Sequence, residues 1–157
     1  MKTKIITSFI IFFMGYSCGT QKNEILEYYS YETECLGTEL DGSQTLKAWG
    51  KGKNKKDAIE QAEKNALRDV LFKGIRSGKS ECSVNPLVVE ANAREKHEKY
   101  FNNFFGKNRI YSKYVSYKDG SFKEKHSSET EVVYGITVRV LRSKLKNQLE
   151  KDEIINL

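Results

Sequence analysis

Two histidines and three cysteines are the side chains of this 157-residue chain best suited to metal binding or nucleophilic chemistry. His97 lies between Lys96 and Glu98 in a charged helical stretch, and His126 lies in a polar arm of a predicted hairpin. Neither histidine has a second ligand at the short spacings that metal sites use. Both are therefore interpreted as surface residues, and the sequence predicts no metal site.

The motifs of common catalytic machineries are missing from the sequence. It contains no G-x-S-x-G, no H-E-x-x-H, no C-x-x-C and no G-x-x-x-x-G-K-[ST]. Gly50 and Gly52 precede a predicted helix, but the third glycine of a dinucleotide fingerprint is missing. The acidic residues alternate with lysines, as on solvated faces. These observations predict a protein that is not an enzyme and that needs no cofactor.

Residues 1–17 have the composition of an export signal. Lys2 and Lys4 precede the apolar run from Ile5 to Met14, which is too short to span a bilayer, and small residues follow at Gly15 and Ser17. This pattern predicts that the segment is removed and that the mature chain is exported.

Cys18 directly follows this segment, at the position where bacterial lipoproteins carry an acylated cysteine. The usual leucine three residues before that cysteine is replaced by Gly15. We expect lipidation of Cys18 and a membrane-anchored location in the bacterial cell envelope, facing the periplasm or the surface. The alternative is ordinary signal cleavage after Ser17.

Cys35 and Cys82 are the other two thiols. Because an exported chain passes through an oxidising compartment, we predict that they form a disulfide. Two unpaired thiols are the alternative.

The clearest structural pattern runs from Leu46 to Ile75. Residues alternate as in a half-buried strand up to Gly50 and Gly52, and a helix follows with Asn54 as its N-cap. Apolar residues then recur at spacings of three and four, with alanines at the centre of the stripe. The small side chains predict a helix packed closely on the strand, with Ala62 and Ala66 buried.

The arrangement A-x-G-x-G, a short basic turn, and D-A-x-x-x-A-x-x-x-A resembles the N-terminal module of the flagellar assembly protein T family and related small bacterial envelope lipoproteins. The matching positions are Ala48, Gly50, Gly52, Asp57, Ala58, Ala62 and Ala66. The resemblance covers about thirty residues and implies an α+β envelope domain that binds other proteins. It implies no catalytic residues.

The second half of the chain predicts a further helix and three strands. Asn85-Pro86 opens the helix, which continues to Gly106, and strands follow at 110–118 and 121–126 with Asp119-Gly120 as a hairpin turn. Residues 130–141 alternate as the longest strand, and 142–151 form a short amphipathic helix.

We therefore predict an α+β fold in which an antiparallel sheet of three to five strands carries two long helices on one face, plus a short C-terminal helix. Residues 18–42 are interpreted as lipid anchor, tether and edge segment, and residues 43–157 as a single domain.

Loss of residues 1–17 removes two lysines and no acid, which lowers the formal charge from +6 to +4. This modest charge predicts no nucleic-acid partner. We expect a non-catalytic interaction or assembly module that contacts the membrane through Cys18 and another envelope protein. A small-ligand-binding protein is the alternative. The aromatic residues expected to form the interaction surface, where the fold exposes them, are Tyr28, Tyr29, Tyr31, Tyr100 and Phe105.

Overall fold

The computed structural model describes residues 31–82, 85–118, 123–127 and 131–156. The strands are β1 (Glu34–Thr38), β2 (Gln44–Gly52), β3 (Ser77–Gly78), β4 (Val115–Tyr117), β5 (Lys123–Ser127) and β6 (Val132–Val140). The helices are α1 (Lys55–Arg68), α2 (Ala93–Lys96), α3 (Glu98–Phe105) and α4 (Arg142–Lys151). A π-helical turn, Asp69–Lys73, extends α1, and a 3-10 turn, Ile110–Lys113, precedes β4.

The described strands form one mostly antiparallel sheet in the order β3-β1-β2-β6-β4. β2 and β6 are its centre and pair over their full lengths, from Gln44 opposite Val140 to Gly52 opposite Val132. Only the pairing of β1 with β3 is parallel among these strands. The predicted mixed α+β class is confirmed, and the two-residue β3 brings the described strands to six.

Glycine in β2 allows α1 to pack directly on the sheet. A Cβ atom on Gly50 would lie 2.1 Å from the Ala58 carbonyl oxygen and 2.2 Å from the Ala62 nitrogen. Real side chains do not approach backbone this closely, so a larger residue at this position would force the helix off the strand. Ala62 and Ala66 are fully buried in this contact, as predicted.

Both ends of the long first helix follow the local sequence. The Asn54 side chain accepts a hydrogen bond from the Asp57 backbone N–H and donates one to the Asp57 carboxylate. This reciprocal arrangement satisfies an N–H group that the helix itself leaves unpaired. At the other end Gly74 has φ +80°, which suits glycine, and its N–H donates to the Asp69 carbonyl.

The predicted second long helix is wrong as a continuous element. The Leu87 and Val88 N–H groups donate to the Val70 and Leu71 carbonyls, at 3.0 and 2.8 Å. These bonds satisfy the end of the preceding helix and hold residues 87–88 outside any helix of their own. A left-handed residue, Asn92, follows, and only the short helices α2 and α3 form.

The predicted hairpin at Asp119-Gly120 is also wrong. β2 occupies one edge of β6 along its whole length, so β4 and β5 both lie along the other edge. They run in the same direction and are two parts of one interrupted strand. The strand expected at 110–118 accordingly begins at Val115, after the 3-10 turn. Residues 119–122 themselves lie outside the described ranges.

A disulfide joins Cys35 of β1 to Cys82 in the loop after β3, with their Cα atoms 5.8 Å apart. Two further contacts reinforce the same junction. The Lys79 N–H donates to the Cys35 carbonyl at 2.9 Å, and the Thr38 hydroxyl donates to the Glu81 carbonyl at 2.9 Å. The disulfide thus holds β1 against the loop that leads into the second half of the domain.

One core gathers the apolar side chains of the sheet and the helices. Its contributors include the inner face of β2 and β6, the stripe of α1, and residues from each of the later helices. Among its most deeply buried members are Leu46, Leu67, Leu71, Tyr111, Ile136, Val138, Leu145 and Leu149.

Candidate binding groove

The predicted interaction residues fall in three groups. Tyr28 and Tyr29 lie outside the described residues, as does Cys18. Tyr31 packs its ring edge-on against Trp49, with centroids 4.9 Å apart. Tyr100 and Phe105 are half-buried on α3, where both rings contact Phe104. Tyr100 and Phe105 thus share a helix and the neighbour Phe104, Phe105 also stacks on Tyr111, and Tyr31 lies elsewhere.

Tyr100 lines an open groove between α3, the 3-10 turn and the end of α4. The groove has a volume of about 510 Å³, within the range of ligand sites in proteins. We call it the aromatic groove. Its lining consists of Tyr100, Asn103, Phe104, Ile110, Lys113, Tyr114, Gln148 and Asp152.

The floor of the groove is a run of aromatic rings. Phe104 stacks on Tyr114 with centroids 5.7 Å apart and on Tyr100 at 6.2 Å. Phe104 and Tyr114 are only 2% and 5% exposed, so they form the bottom of the groove rather than its edge. The apolar surface that a bound group can contact is therefore that of the half-buried Tyr100 and Ile110 above this floor.

A hydrogen-bonded wall closes one side of the aromatic groove. The Tyr100 hydroxyl donates to one Asp152 carboxylate oxygen at 2.8 Å, and the Gln148 amide donates to the other at 2.8 Å. Burial, and then the bond to Asp152, raises the pKa of the Tyr100 phenol well above its ordinary value. Burial and the same carboxylate also raise the pKa of Tyr114. Both phenols therefore stay neutral at physiological pH.

The rim of the groove is basic. Lys113 lines it, Lys144 places its ammonium 5.9 Å from the Tyr114 ring centroid, and Lys99 lines an adjoining depression that shares Tyr100 and Asn103. All three lysines are exposed. Within the described ranges no carboxylate forms an ion pair with any of them, whereas Lys96 nearby is paired with Glu90 at 2.8 Å.

A second depression, of about 370 Å³, lies beside the start of α1 and is lined in part by Glu60, Glu63 and Arg109. Here the Glu60 carboxylate already accepts from Lys64 at 2.8 Å and from Arg109 at 3.1 Å. Its apolar lining is one side chain, Ile59. With its central charges paired and no aromatic floor, this depression is the weaker candidate.

No three histidine, cysteine, aspartate or glutamate side chains in the described part of the chain lie close enough together to hold a metal ion. None of the helices in that part is long and apolar enough to cross a membrane.

The sequence pointed to only part of this groove. A strand over 110–118, as predicted, would place Lys113 and Tyr114 on opposite faces of the sheet. The 3-10 turn instead brings both side chains to the groove. Asp152 lies past the predicted end of the last helix and meets Tyr100 only in the folded chain. A local cue was available: a polar run at 107–109 precedes the aromatic pair Tyr111 and Tyr114, which has helical spacing.

Comparison of the chain with protein-family models, with curated proteins and with solved structures finds no match.

Proposed function

We propose that this chain is an exported envelope protein, anchored to the membrane through an acylated Cys18, whose domain binds another protein without catalysing a reaction. The observation that carries the proposal is the aromatic groove, which holds stacked rings below a rim of exposed lysines. Aromatic surface in a concave, partly desolvated setting is the feature that dominates the energy of protein interfaces.

The resemblance of the β2–α1 unit to the flagellar assembly protein T family supports the same assignment, because it implies an envelope domain that binds proteins. The N-terminal segment supports the location. Residues 1–17 have the pattern of an export signal, and Cys18 stands where lipidation would occur.

The test is site-specific cross-linking in living cells with the intact anchored protein. A photoreactive amino acid replaces Lys113 in the groove and, in the matched control, Lys79. Both side chains are exposed, and Lys79 follows β3, which forms the opposite edge of the sheet from β4. We expect a discrete adduct with one envelope protein from position 113 and none from position 79.

A small-ligand-binding protein is the second candidate, favoured by the volume and concavity of the groove. It predicts that the purified chain retains a small molecule in native mass spectrometry. That result, together with no adduct from position 113, would replace the protein-binding proposal.

A further inference from the structure

We infer that the aromatic groove accepts an acidic segment of the partner protein that places one aromatic or aliphatic side chain against Tyr100 and Ile110. This inference rests on the proposed function and names the chemistry of the partner. It follows from the charges at the rim and from the half-buried apolar side chains in the lining.

The rim carries positive charge that the fold does not neutralise. Lys99, Lys113 and Lys144 are exposed, and no carboxylate of the described residues pairs with them. These three lysines surround one groove whose described lining holds a single carboxylate, Asp152, so positive charge is in local excess there. A local excess of unpaired cations favours an anionic partner and speeds its encounter.

The described lining of the groove holds one carboxylate, Asp152, whose oxygens accept hydrogen bonds from Tyr100 and from Gln148. Asp152 keeps its negative charge, so the preference for an acidic partner comes from the three rim lysines, which outnumber this one carboxylate.

The floor requires more than charge. Phe104 and Tyr114 are stacked and almost fully buried at the bottom of the groove, and Ile110 adds an aliphatic side chain to its lining. Phe104 and Tyr114 are already almost fully out of water, so the apolar surface open to a partner is that of the half-buried Tyr100 and Ile110. A ring or branched aliphatic group of the partner can cover these two side chains and remove them from water. A flat bilayer surface does not enter a groove of about 510 Å³, which favours a peptide side chain over lipid headgroups.

The experiment is selection of a displayed random peptide library on the full mature chain, residues 18–157, carrying Cys18→Ala to keep it free of lipid. We expect the enriched peptides to share excess acidic residues around one aromatic or aliphatic position. Replacing that position by alanine in a synthetic peptide should weaken binding, and raising the salt concentration should weaken it further.

Charge reversal at the rim supplies the matched comparison. Lys99→Glu combined with Lys113→Glu should weaken binding of the selected peptide by about tenfold or more. Lys53→Glu combined with Lys79→Glu changes the net charge equally at exposed positions outside the groove lining and should leave binding within about twofold. Because all four lysines are exposed, circular dichroism should show the same fold in both variants.

Other results of these experiments would separate a failure of this inference from a failure of the proposed function. Enriched peptides without an acidic bias that still cross-link at position 113 would overturn the inference and leave the proposed function standing. No enrichment and no cellular adduct would overturn both. Binding of the same chain to vesicles containing phosphatidylglycerol, but not to phosphatidylcholine vesicles, lost in the groove variant and kept in the control variant, would reassign the groove to anionic lipid.

Discussion

At the scale of single residues, the hydrogen bond between Tyr100 and Asp152 is the one contact that both closes the groove and joins α3 to the end of α4. Its partners are 52 positions apart in the chain and 2.8 Å apart in the fold. Because Asp152 is exposed, water can replace a lost partner, which limits the cost of losing the bond.

We expect Tyr100→Phe to lower the free energy of unfolding by about 0.5–1.5 kcal/mol, the usual range for one hydrogen bond. The measurement is a double-mutant cycle with Asp152→Ala in urea denaturation. A coupling energy near zero would show that the two side chains do not interact.

Asp41 offers a pH-dependent contribution to stability. Hydrogen bonds from the Ser43 hydroxyl and N–H, and then Arg139, lower the pKa of this carboxyl from 3.8 to about 2. A lowered folded-state pKa stabilises the protein above the unfolded-state pKa, and the effect is lost as the pH falls through the folded value.

The Asp41 contribution should therefore disappear between about pH 4 and pH 2. In thermal melts across this window, wild type should lose more stability than Asp41→Asn, which cannot titrate there. If wild type and Asp41→Asn lose the same stability over this pH range, the acid sensitivity belongs to other carboxyl groups.

At the scale of elements, the β2–α1 contact is the tightest packing in the fold. Ala62 is fully buried, and its backbone lies against Gly50 of the neighbouring strand. A larger side chain here cannot be accommodated by small side-chain shifts, since the strand backbone itself forms the opposing surface.

Ala62→Leu should overpack the interface and lower the free energy of unfolding by about 1–3 kcal/mol in a denaturant melt. Lys56→Leu places the same side chain at an exposed position of the same helix and should change stability by less than about 0.5 kcal/mol. A neutral Ala62→Leu would contradict the close docking of α1 on the sheet.

The disulfide between Cys35 and Cys82 acts on the β1 edge. It closes a loop of 47 positions, for which the loss of unfolded-chain entropy corresponds to about 4 kcal/mol. We expect the paired change Cys35→Ala and Cys82→Ala to lower the free energy of unfolding by a similar amount, which a denaturant melt would show as a lower midpoint. The parent protein should show no free thiol from these residues in denaturant without reductant.

The sequence could predict an element where its contacts are with residues nearby in the chain, and could not where its contacts are with a distant element. The β2–α1 unit was predictable because Asn54, Asp57 and the alanine stripe act within one helix and its neighbouring strand. Residues 87–88 were misassigned because their N–H partners, Val70 and Leu71, belong to another element. The groove shares this limit, since its lining comes from three separate elements.

At the scale of the whole molecule, an acylated Cys18 would decide where the groove can work. If Cys18 is acylated, Cys18→Ala should move the protein from the membrane to the soluble envelope fraction. Circular dichroism of the released protein should match that of the parent, because the described fold begins at residue 31. A parent protein that already fractionates as soluble would contradict the anchor.

The pairing of β2 with β6 also dictates when the molecule can fold. The two central strands lie at 44–52 and 132–140, so 140 of the 157 residues must be available before the middle of the sheet can close. Such long-range pairing makes folding slow, because the long loop between the two strands must close before their contacts can stabilise the fold. During synthesis β2 therefore waits for its partner with one edge unpaired. Truncation before residue 132 would remove β6 and with it the pairing partner of β2, β4 and β5.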